Sequence, residues 1–349
     1  MGTVGEITIT PEDFEEAMCN RALSIIKEIH NVNPYYLFVF LITNISKLLL
    51  ERSINGAIQE RINLETLGNL TIPILTSDIQ CKFESIVKQA HRIRKLSYQY
   101  YSDAENILLA ELGLKDWNPT NQTSTQKNFT DFLESGRLDA EYYQLKYDEI
   151  EDKISIYGSG CIGQLFDIKD KNVTPESDVQ YNYIELSNVG DRGEITGCTY
   201  EYGLELPSRA RRKVNTGDII VSSIEGSLQS CAIITKDYNN SLCSTGFYVL
   251  TPKLVNAETS LMLFKSAPIQ QLMKKVCSGT ILTAMNKDEF VNIPMPIIAK
   301  DIQQQIADKV QRSFELRNES KCLLDLAKTA VETAIEQGEQ KVMELLKLN

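Results

Sequence analysis

Two stretches of the chain repeat apolar and small residues at alternating spacings of three and four. The first runs through Ile79, Phe83, Ile86, Ala90, Ile93, Ser97, Tyr100, Ala104 and Ile107. The second runs through Ile302, Ile306, Val310, Ser313, Leu316, Ser320, Leu323, Ala327 and Ala330. This period predicts two long amphipathic helices, and the small residues on each seam permit close approach. A helix of about 35 residues is roughly 50 Å long. That length outruns the core of a small domain, so the pattern predicts one antiparallel coiled coil used as a spacer. The plainer alternative is two surface helices, each packed on its own domain.

The two seams belong to a longer repeat. A shift of 223 residues, with no gap, lays Gly56 on Gly279, Asn63 on Asn286, Asn69 on Asn292, Pro73 on Pro296 and Asp78-Ile-Gln80 on Asp301-Ile-Gln303. Identities that cluster at Gly, Asn and Pro without gaps mark a structural repeat. Each copy predicts a short β-like run (22–26 or 246–250), a helix (34–52 or 257–275) and a polar turn at Gly56 or Gly279. A short strand into proline follows, and then the long helix. Between the copies, residues 114–131 are polar, contain Pro119 and read as a linker. From Phe132 the chain becomes β-rich, with strand candidates at 153–157, 181–186, 217–222 and 232–234.

Composition narrows the function classes. The chain has 349 residues, 36 Lys plus Arg against 47 Asp plus Glu, and a net charge of −11. Bulk charge therefore does not drive nucleic-acid binding, although a local cationic patch can. Only two histidines, His30 and His91, are present, which leaves no room for a histidine-centred metal site or catalytic triad. The eight cysteines are scattered with no C-x-x-C, the pattern of a reduced cytoplasmic protein. The start of the chain shows no signal peptide, and the most apolar run, Tyr35–Leu50, is too short and too polar to span a bilayer.

Several motifs have bland explanations. Gly158-Ser-Gly-Cys-Ile-Gly163 fits G-x-G-x-x-G, but Gln164–Ile168 reads as a further strand and not as the helix that would hold a pyrophosphate. Asn33-Pro-Tyr-Tyr36 approaches a methyltransferase motif, and reads more simply as a helix cap with proline in the first turn. Glu149, Glu151 and Asp152 read as a solvated acidic face. No P-loop is present. One cluster stands out, Arg209-Ala-Arg211-Arg212-Lys213. It is either a solvated loop balanced by Glu201 and Glu205, or a phosphate-contacting element whose arginines also reach guanine edges.

The order of elements resembles the specificity subunit of type I restriction-modification systems. The resemblance rests on Arg137-Leu-Asp-Ala-Glu-Tyr-Tyr143, on Tyr183-Ile-Glu-Leu-Ser-Asn-Val189 followed by Gly193-Glu-Ile195, and on Gly217-Asp-Ile-Ile-Val-Ser222. Ile293-Pro-Met-Pro296 followed by Ile302-Gln-Gln-Gln-Ile306 adds to it. It implies an α/β (α+β) fold, a target recognition domain of mixed sheet plus short helices, with the two long antiparallel helices as coiled-coil spacer. The implied organisation is 1–75 as the distal part of a first recognition domain and 76–113 as the first spacer helix. The linker 114–131, a complete second recognition domain at 132–298 and the second spacer helix at 299–349 follow. The counterpart of residues 132–225 is missing from the first copy, which therefore reads as N-terminally incomplete.

The function implied is sequence-specific recognition of double-stranded DNA by a non-catalytic chain that directs methyltransferase and restriction subunits. S-adenosylmethionine, ATP and Mg²⁺ are then expected on those partners and no cofactor on this chain. Self-association through the incomplete first domain is a further expectation. The resemblance favours the phosphate-contact reading of Arg209, Arg211, Arg212 and Lys213. It adds Lys169 and Lys171 as backbone contacts, and Ser222, Ser223, Gln229, Gly279 and Thr280 as polar base or phosphate contacts. The rival expectation is an S-like assembly protein that binds partner subunits without directing them to DNA.

Overall fold

The computed structural model describes residues 5–11, 14, 18–20, 23–52, 62, 64–120, 122, 124–158, 160–278 and 283–346. It divides into two compact units, one of residues 1–98 with 315–349, the other of residues 99–314. Both long helices, Ser77–Glu111 and Lys300–Gln337, contribute to both units.

The repeat is a repeat of structure. Helices Pro34–Leu41 and Asn44–Glu51 have counterparts in Ala257–Lys265 and Ala267–Lys275, and Leu64–Gly68 has one in Lys287–Val291. The single helices expected over 34–52 and 257–275 are therefore each broken in two, at Thr43 and Ser266. At both breaks the hydroxyl bonds back into the preceding turn, Thr43 Oγ1 to the Phe40 carbonyl at 2.6 Å and Ser266 Oγ to the Leu263 carbonyl at 2.7 Å. Such side chains compete with the backbone ladder and suit the junction between helices.

A latch recurs at the foot of each long helix. Asn33 caps the helix that follows, its side-chain oxygen accepting from the Tyr35 and Tyr36 amides. Its own amide donates to Gln80 Oε1 at 2.7 Å, while Gln80 Nε2 donates to the Leu75 carbonyl at 2.7 Å. In the second copy the Asn256 amide donates to Gln303 Oε1 at 2.9 Å, and Gln303 Nε2 donates to the Ile298 carbonyl at 2.8 Å. The Asn-Pro motif is thus a cap, as its sequence suggested.

In the first unit, Ile79, Phe83 and Val87 pack with Ala327, Ala330, Val331 and Ala334 and against Tyr36, Val39 and Phe40. Ser320 Oγ donates to the Ala90 carbonyl at 2.8 Å across an antiparallel helix pair. In the second unit, Ala104 and Leu108 share a core with Ile306 and Val310, and Lys309 pairs with Asp103 at 3.1 Å. On the first long helix the buried seam is displaced from the expected one: Val87, Tyr101 and Leu108 are buried, whereas Ile86, Tyr100 and Ile107 are half-buried. A helix with 3.6 residues per turn drifts relative to a strict 3.5 repeat, which rotates the contact by one position.

The second unit holds two four-stranded sheets. Their strands are β2 (Phe166–Lys169), β3 (Gln180–Ile184), β4 (Thr199–Tyr202) and β5 (Ala210–Lys213), then β6 (Ile219–Ser222), β7 (Cys231–Ile233), β8 (Leu242–Ser244) and β9 (Phe247–Pro252). Short pairs complete the set: β1 (Gly160–Cys161) with β12 (Pro294–Met295), and β10 (Cys277–Ser278) with β11 (Ala284–Met285). One sheet has the order β2-β9-β6-β7, the other β4-β3-β8-β5, and only β3–β8 is parallel. Ile184, Val214, Ile220, Ala232, Cys243, Phe247 and Val249 form one core cluster drawn from both sheets. The other face of β6 carries Ile219 and Val221 into the helical core with Leu261, Phe264 and Leu272. Burial on both faces explains why 219–222 reads as a continuous apolar run and not as an alternating one.

Local chemistry explains the motif that precedes this strand. Gly217 has φ +88°, a conformation that a residue with a Cβ adopts only with strain. Asp218 then accepts from the Asn215 amide at 2.7 Å and closes the turn into β6. Gly193 answers to a different constraint. It too has a positive φ, and a Cβ there would lie 2.4 Å from Leu261.

Other expectations are corrected. Residues 153–157 are not a strand; helix Leu145–Ser155 occupies most of them because Tyr147, Ile150 and Ile154, spaced three and four apart, all face the core. Residues 23–26 form no strand, and Leu23, Ile25 and Ile26 are exposed. The counterparts of Ser24, Ile25 and Ile26 lie in β9, where paired neighbours hold the strand. After Gly160 comes one helical turn, Ile162–Leu165, and only then strand β2. The linker is tied down at its start, with Leu114 buried and Trp117 Nε1 donating to Glu149 Oε2 at 3.3 Å. Gly56, Ala22 and Asn63 fall outside the described residues.

Two outcomes follow. Gln303→Ala strands the Asn256 amide and the Ile298 carbonyl in a buried setting, and is expected to cost about 2 kcal/mol in urea unfolding. All eight cysteines are free; Cys19, Cys81 and Cys322 are exposed, while burial pushes the Cys231 thiol up to about 12. Alkylation at pH 8 is expected to label the three exposed thiols and to spare Cys231 until the protein is unfolded.

Candidate nucleic-acid interface

The cationic cluster lies on β5, an edge strand. Its partner is β8, with a register shift between Ala210 and Arg212. The chain leaving β2 crosses its outer side: Asn172 bridges Arg212 in antiparallel fashion, and the Val173 amide donates to the Arg211 carbonyl at 2.9 Å. This register sets Lys171 across from Lys213. Arg209, Lys171 and Lys213 are exposed, and Arg211 is half-buried with its Nε donating to the Ser208 carbonyl at 3.1 Å. The fold therefore brings residues about forty positions apart in sequence into one cationic edge.

Pairing direction separates the roles of the cations. Lys213 lies opposite Leu242 and Arg212 opposite Cys243, so the two side chains leave opposite faces of the strand. Cys243 belongs to the intersheet core, and the Arg212 Nε and Nη1 atoms are buried without a hydrogen-bond partner. Its neighbours include Asp170, whose carboxyl is held below the usual range first by its hydrogen bond with Lys287 and also by Arg212. Arg212 is accordingly a half-buried charge at the margin of the core. Lys287 joins this side of the cluster through its ion pair with Asp170, and nothing in its sequence surroundings marked it.

Lys169 is also engaged. Its ammonium group contacts both carboxylate oxygens of Asp218, at 2.9 and 2.7 Å, and the Asp218 side chain is 2% exposed. Thr251 Oγ1 donates to the same carboxylate at 2.7 Å. Lys169 thus neutralises a buried acid at the root of β6. The serines are similarly occupied: Ser222 is buried and its hydroxyl shares a hydrogen bond with Ser227 Oγ at 2.8 Å, while Ser223 Oγ donates to the Gly246 carbonyl at 2.9 Å. Gln229 is exposed, and its carbonyl accepts from Lys265 at 2.8 Å. Gly279 and Thr280 fall outside the described residues.

Sequence inspection did not foresee what Arg137 and the tyrosines after it do. Arg137 holds Asp139 through two nitrogens, at 2.6 and 2.8 Å, and donates to the Cys277 carbonyl at 3.0 Å. Its guanidinium lies 5.0 Å from the Tyr142 ring centroid, and Lys275 lies 5.2 Å from the same ring. The stretch that opens the domain therefore anchors β10, where the 277–285 segment begins. Beside it lies a cleft of about 350 Å³ lined by Tyr142, Lys275, Glu151 and Glu289, among others. Among the described residues no group of His, Cys, Asp and Glu could hold a metal ion, and no helix is long and apolar enough to cross a membrane.

Residues 154–321 match the family model of the type I restriction modification DNA specificity domain. The chain carries a DNA specificity domain of that family over this stretch, which takes in both sheets, the cationic edge strand and the first part of the second long helix. Curated proteins give no match. Among solved structures, one described as the basis of complex assembly and conformational transition of the type I R-M system is 23% identical, with TM-score 0.41. The HsdS subunit from Thermoanaerobacter tengcongensis is 22% identical, with TM-score 0.38. Each of these two matches covers 51% of this chain and 46% of the other, so this chain spans less than half of their length. The type I restriction-modification S subunit from M. genitalium is 13% identical with TM-score 0.43, covering 86% of this chain and 71% of that one.

The two kinds of cation separate on substitution. Lys169→Met leaves the Asp218 carboxylate without its counter-charge and is expected to cost about 2 kcal/mol. That is below the cost of breaking a fully buried pair, because the lysine is itself partly exposed. Arg209→Ala and Lys213→Ala are expected to change stability by less than about 0.5 kcal/mol. Thermal melts of the three variants check both statements.

Proposed function

We propose that this chain is the DNA-reading, non-catalytic subunit of a type I restriction-modification complex. The observation that carries the reading is a cationic edge strand, β5 with Lys171 beside it, inside the DNA specificity domain of an otherwise acidic protein. Arg209, Arg211, Lys213 and Lys171 contact phosphate, and arginine at the edge also reaches guanine. Gln229 adds a polar contact. Arg212 and Lys169 hold the strand and the turn from which these side chains project, and Ser222 and Ser223 shape the adjoining loop.

The partners in this reading are methyltransferase subunits, which bind S-adenosylmethionine, and a restriction subunit, which uses ATP and Mg²⁺. All act in the cytoplasm. A second copy of the chain covers the apolar residues left exposed in the first unit. Two comparisons within the chain support this. Leu49 is 37% exposed and its counterpart Leu272 is 1% exposed; Ile26 is 46% exposed and its counterpart Val249 is fully buried. Apolar surface of this kind associates.

Co-expression with a type I methyltransferase subunit, followed by pull-down and mass measurement, is expected to return a stable complex. Its mass reports whether one or two copies of this chain are present. In duplex-binding titrations, Arg209→Ala, Arg211→Ala and Lys213→Ala are each expected to lower the slope of log K against log salt by about 0.9, without loss of assembly. Retention of full DNA affinity in the triple variant would overturn the reading and leave an assembly protein.

A further inference from the structure

The sheet β4-β3-β8-β5 has two edges that differ in cover and in charge. At one edge, Asn172 and Val173 cross the outer side of β5, and β5 itself carries a register shift. At the other, β4 pairs regularly with β3, from Thr199 opposite Tyr183 to Tyr202 opposite Gln180. No strand lies beyond β4 among the described residues, and all four of its residues are exposed. Sheet edges are ordinarily blunted by lysine, proline or a bulge. The sequence Thr-Tyr-Glu-Tyr of β4 has none of these.

The ladder fixes which backbone groups face outward. The Gly203 amide donates to the Val179 carbonyl at 2.9 Å, in continuation of the β3–β4 register. Bonded and non-bonded pairs alternate along an antiparallel ladder, so Tyr181–Glu201 is a bonded pair, whereas Asn182–Tyr200 and Gln180–Tyr202 are not. The Tyr200 amide and carbonyl and the Tyr202 amide therefore point away from β3. The Tyr202 carbonyl turns the same way and accepts from the Glu205 amide at 2.9 Å. The rings of Tyr200 and Tyr202 are 60% and 46% exposed and leave one face of the strand; Glu201 leaves the other.

The charge at this edge is negative. Residues 172–208 hold a single cation, Arg192, against seven carboxylates. Four of these, all exposed, gather at one end of the β3–β4 ribbon. They are Glu201 and Glu205, with Glu176 and Asp178 on the segment that bonds to Gly203 and Leu204. The Glu201 carboxyl is pushed up first by its hydrogen bond with Glu205, and no lysine or arginine acts on it. Strand β5 lies three interstrand spacings away, about 14 Å, so its cations do not offset these acids. A polyanion is drawn to one edge of the sheet and repelled from the other.

We propose that β4 is a docking edge for a cationic, extended segment of a partner protein, which adds a fifth strand to this sheet. Main-chain bonds to Tyr200 and Tyr202 hold the segment, and its alternate side chains meet the two faces of β4. Aliphatic or β-branched residues lie across Tyr200 and Tyr202, and lysine or arginine lies across Glu201. Pairing of two β4 edges from two copies of this chain would bring like carboxylates together, and DNA meets the same repulsion.

The test is hydrogen–deuterium exchange of the full-length chain, with and without a blocked peptide of alternating lysine and valine. The Tyr200 and Tyr202 amides are expected to exchange freely in the chain alone and to slow as the peptide saturates it. Glu201→Lys/Glu205→Lys, at exposed positions, is expected to weaken the peptide about tenfold. Tyr200→Pro removes an outward donor without touching the ladder to β3, and is expected to weaken it about fivefold. A peptide of alternating glutamate and valine is expected not to bind. Equal protection by the glutamate peptide, or unchanged affinity in the charge-reversed chain, would overturn the proposal. A lysine peptide that slows neither amide would do the same. Loss of duplex affinity in Tyr200→Ala/Tyr202→Ala would assign the ribbon to base contact, and a dimer that dissociates on Tyr200→Pro would assign it to self-pairing; either result overturns the proposal. None of these outcomes bears on the cationic edge, whose salt-dependence test stands apart.

Discussion

The link between Asn256 and Gln303, repeated in Asn33 and Gln80, sets the geometry on which each unit depends. One glutamine side chain takes the amide of a helix-capping residue and donates to a carbonyl at the foot of a long helix. Two groups that a helix start and a loop end would otherwise leave unsatisfied are paired by one amide. Because Gln303 is 6% exposed and Gln80 likewise, water does not compete for these bonds. The foot of each long helix is thereby fastened to the short helix that the asparagine caps, within its own unit.

A second constraint governs the specificity domain. Strand β6 is apolar on both faces, so it has to sit between the intersheet core and the helices. The turn that feeds it buries a carboxylate, Asp218, whose oxygens are taken up by Lys169, Thr251 and the Asn215 amide. The cationic edge strand is built around the same network. Cations near it divide into those that neutralise buried or neighbouring acids and those that face outward. Only the second group is available to a polyanion, and a count of positive residues does not distinguish them.

Position along the chain and charge also part company in the domain's opening stretch. Arg137, Asp139 and Tyr142 look like candidates for binding because they are polar and close together. Their bonds are internal: the guanidinium is spent on Asp139, on the Cys277 carbonyl and on an aromatic face. What they do is hold the start of the 277–285 segment against the domain.

The amino-acid sequence by itself determined the repeat, the two long helices, the Asn caps, the Gly217-Asp218 turn and the location of the cationic cluster. All of these are signals of local chemistry or of period, which are written in neighbouring residues. Tertiary structure alone decided that 153–157 belongs to a helix, that 23–26 lacks the strand its counterpart forms, and that the seam runs through Val87, Tyr101 and Leu108. Each depends on which neighbours supply hydrogen bonds and apolar surface, and short apolar runs do not specify that. It alone also divided the candidate site. Lys169, Arg212 and the two serines are committed to the fold, while Arg209, Arg211, Lys213 and Lys171 share one edge. A side chain's role there follows from the strand face it leaves and the charge it meets, and both are fixed by residues distant in sequence.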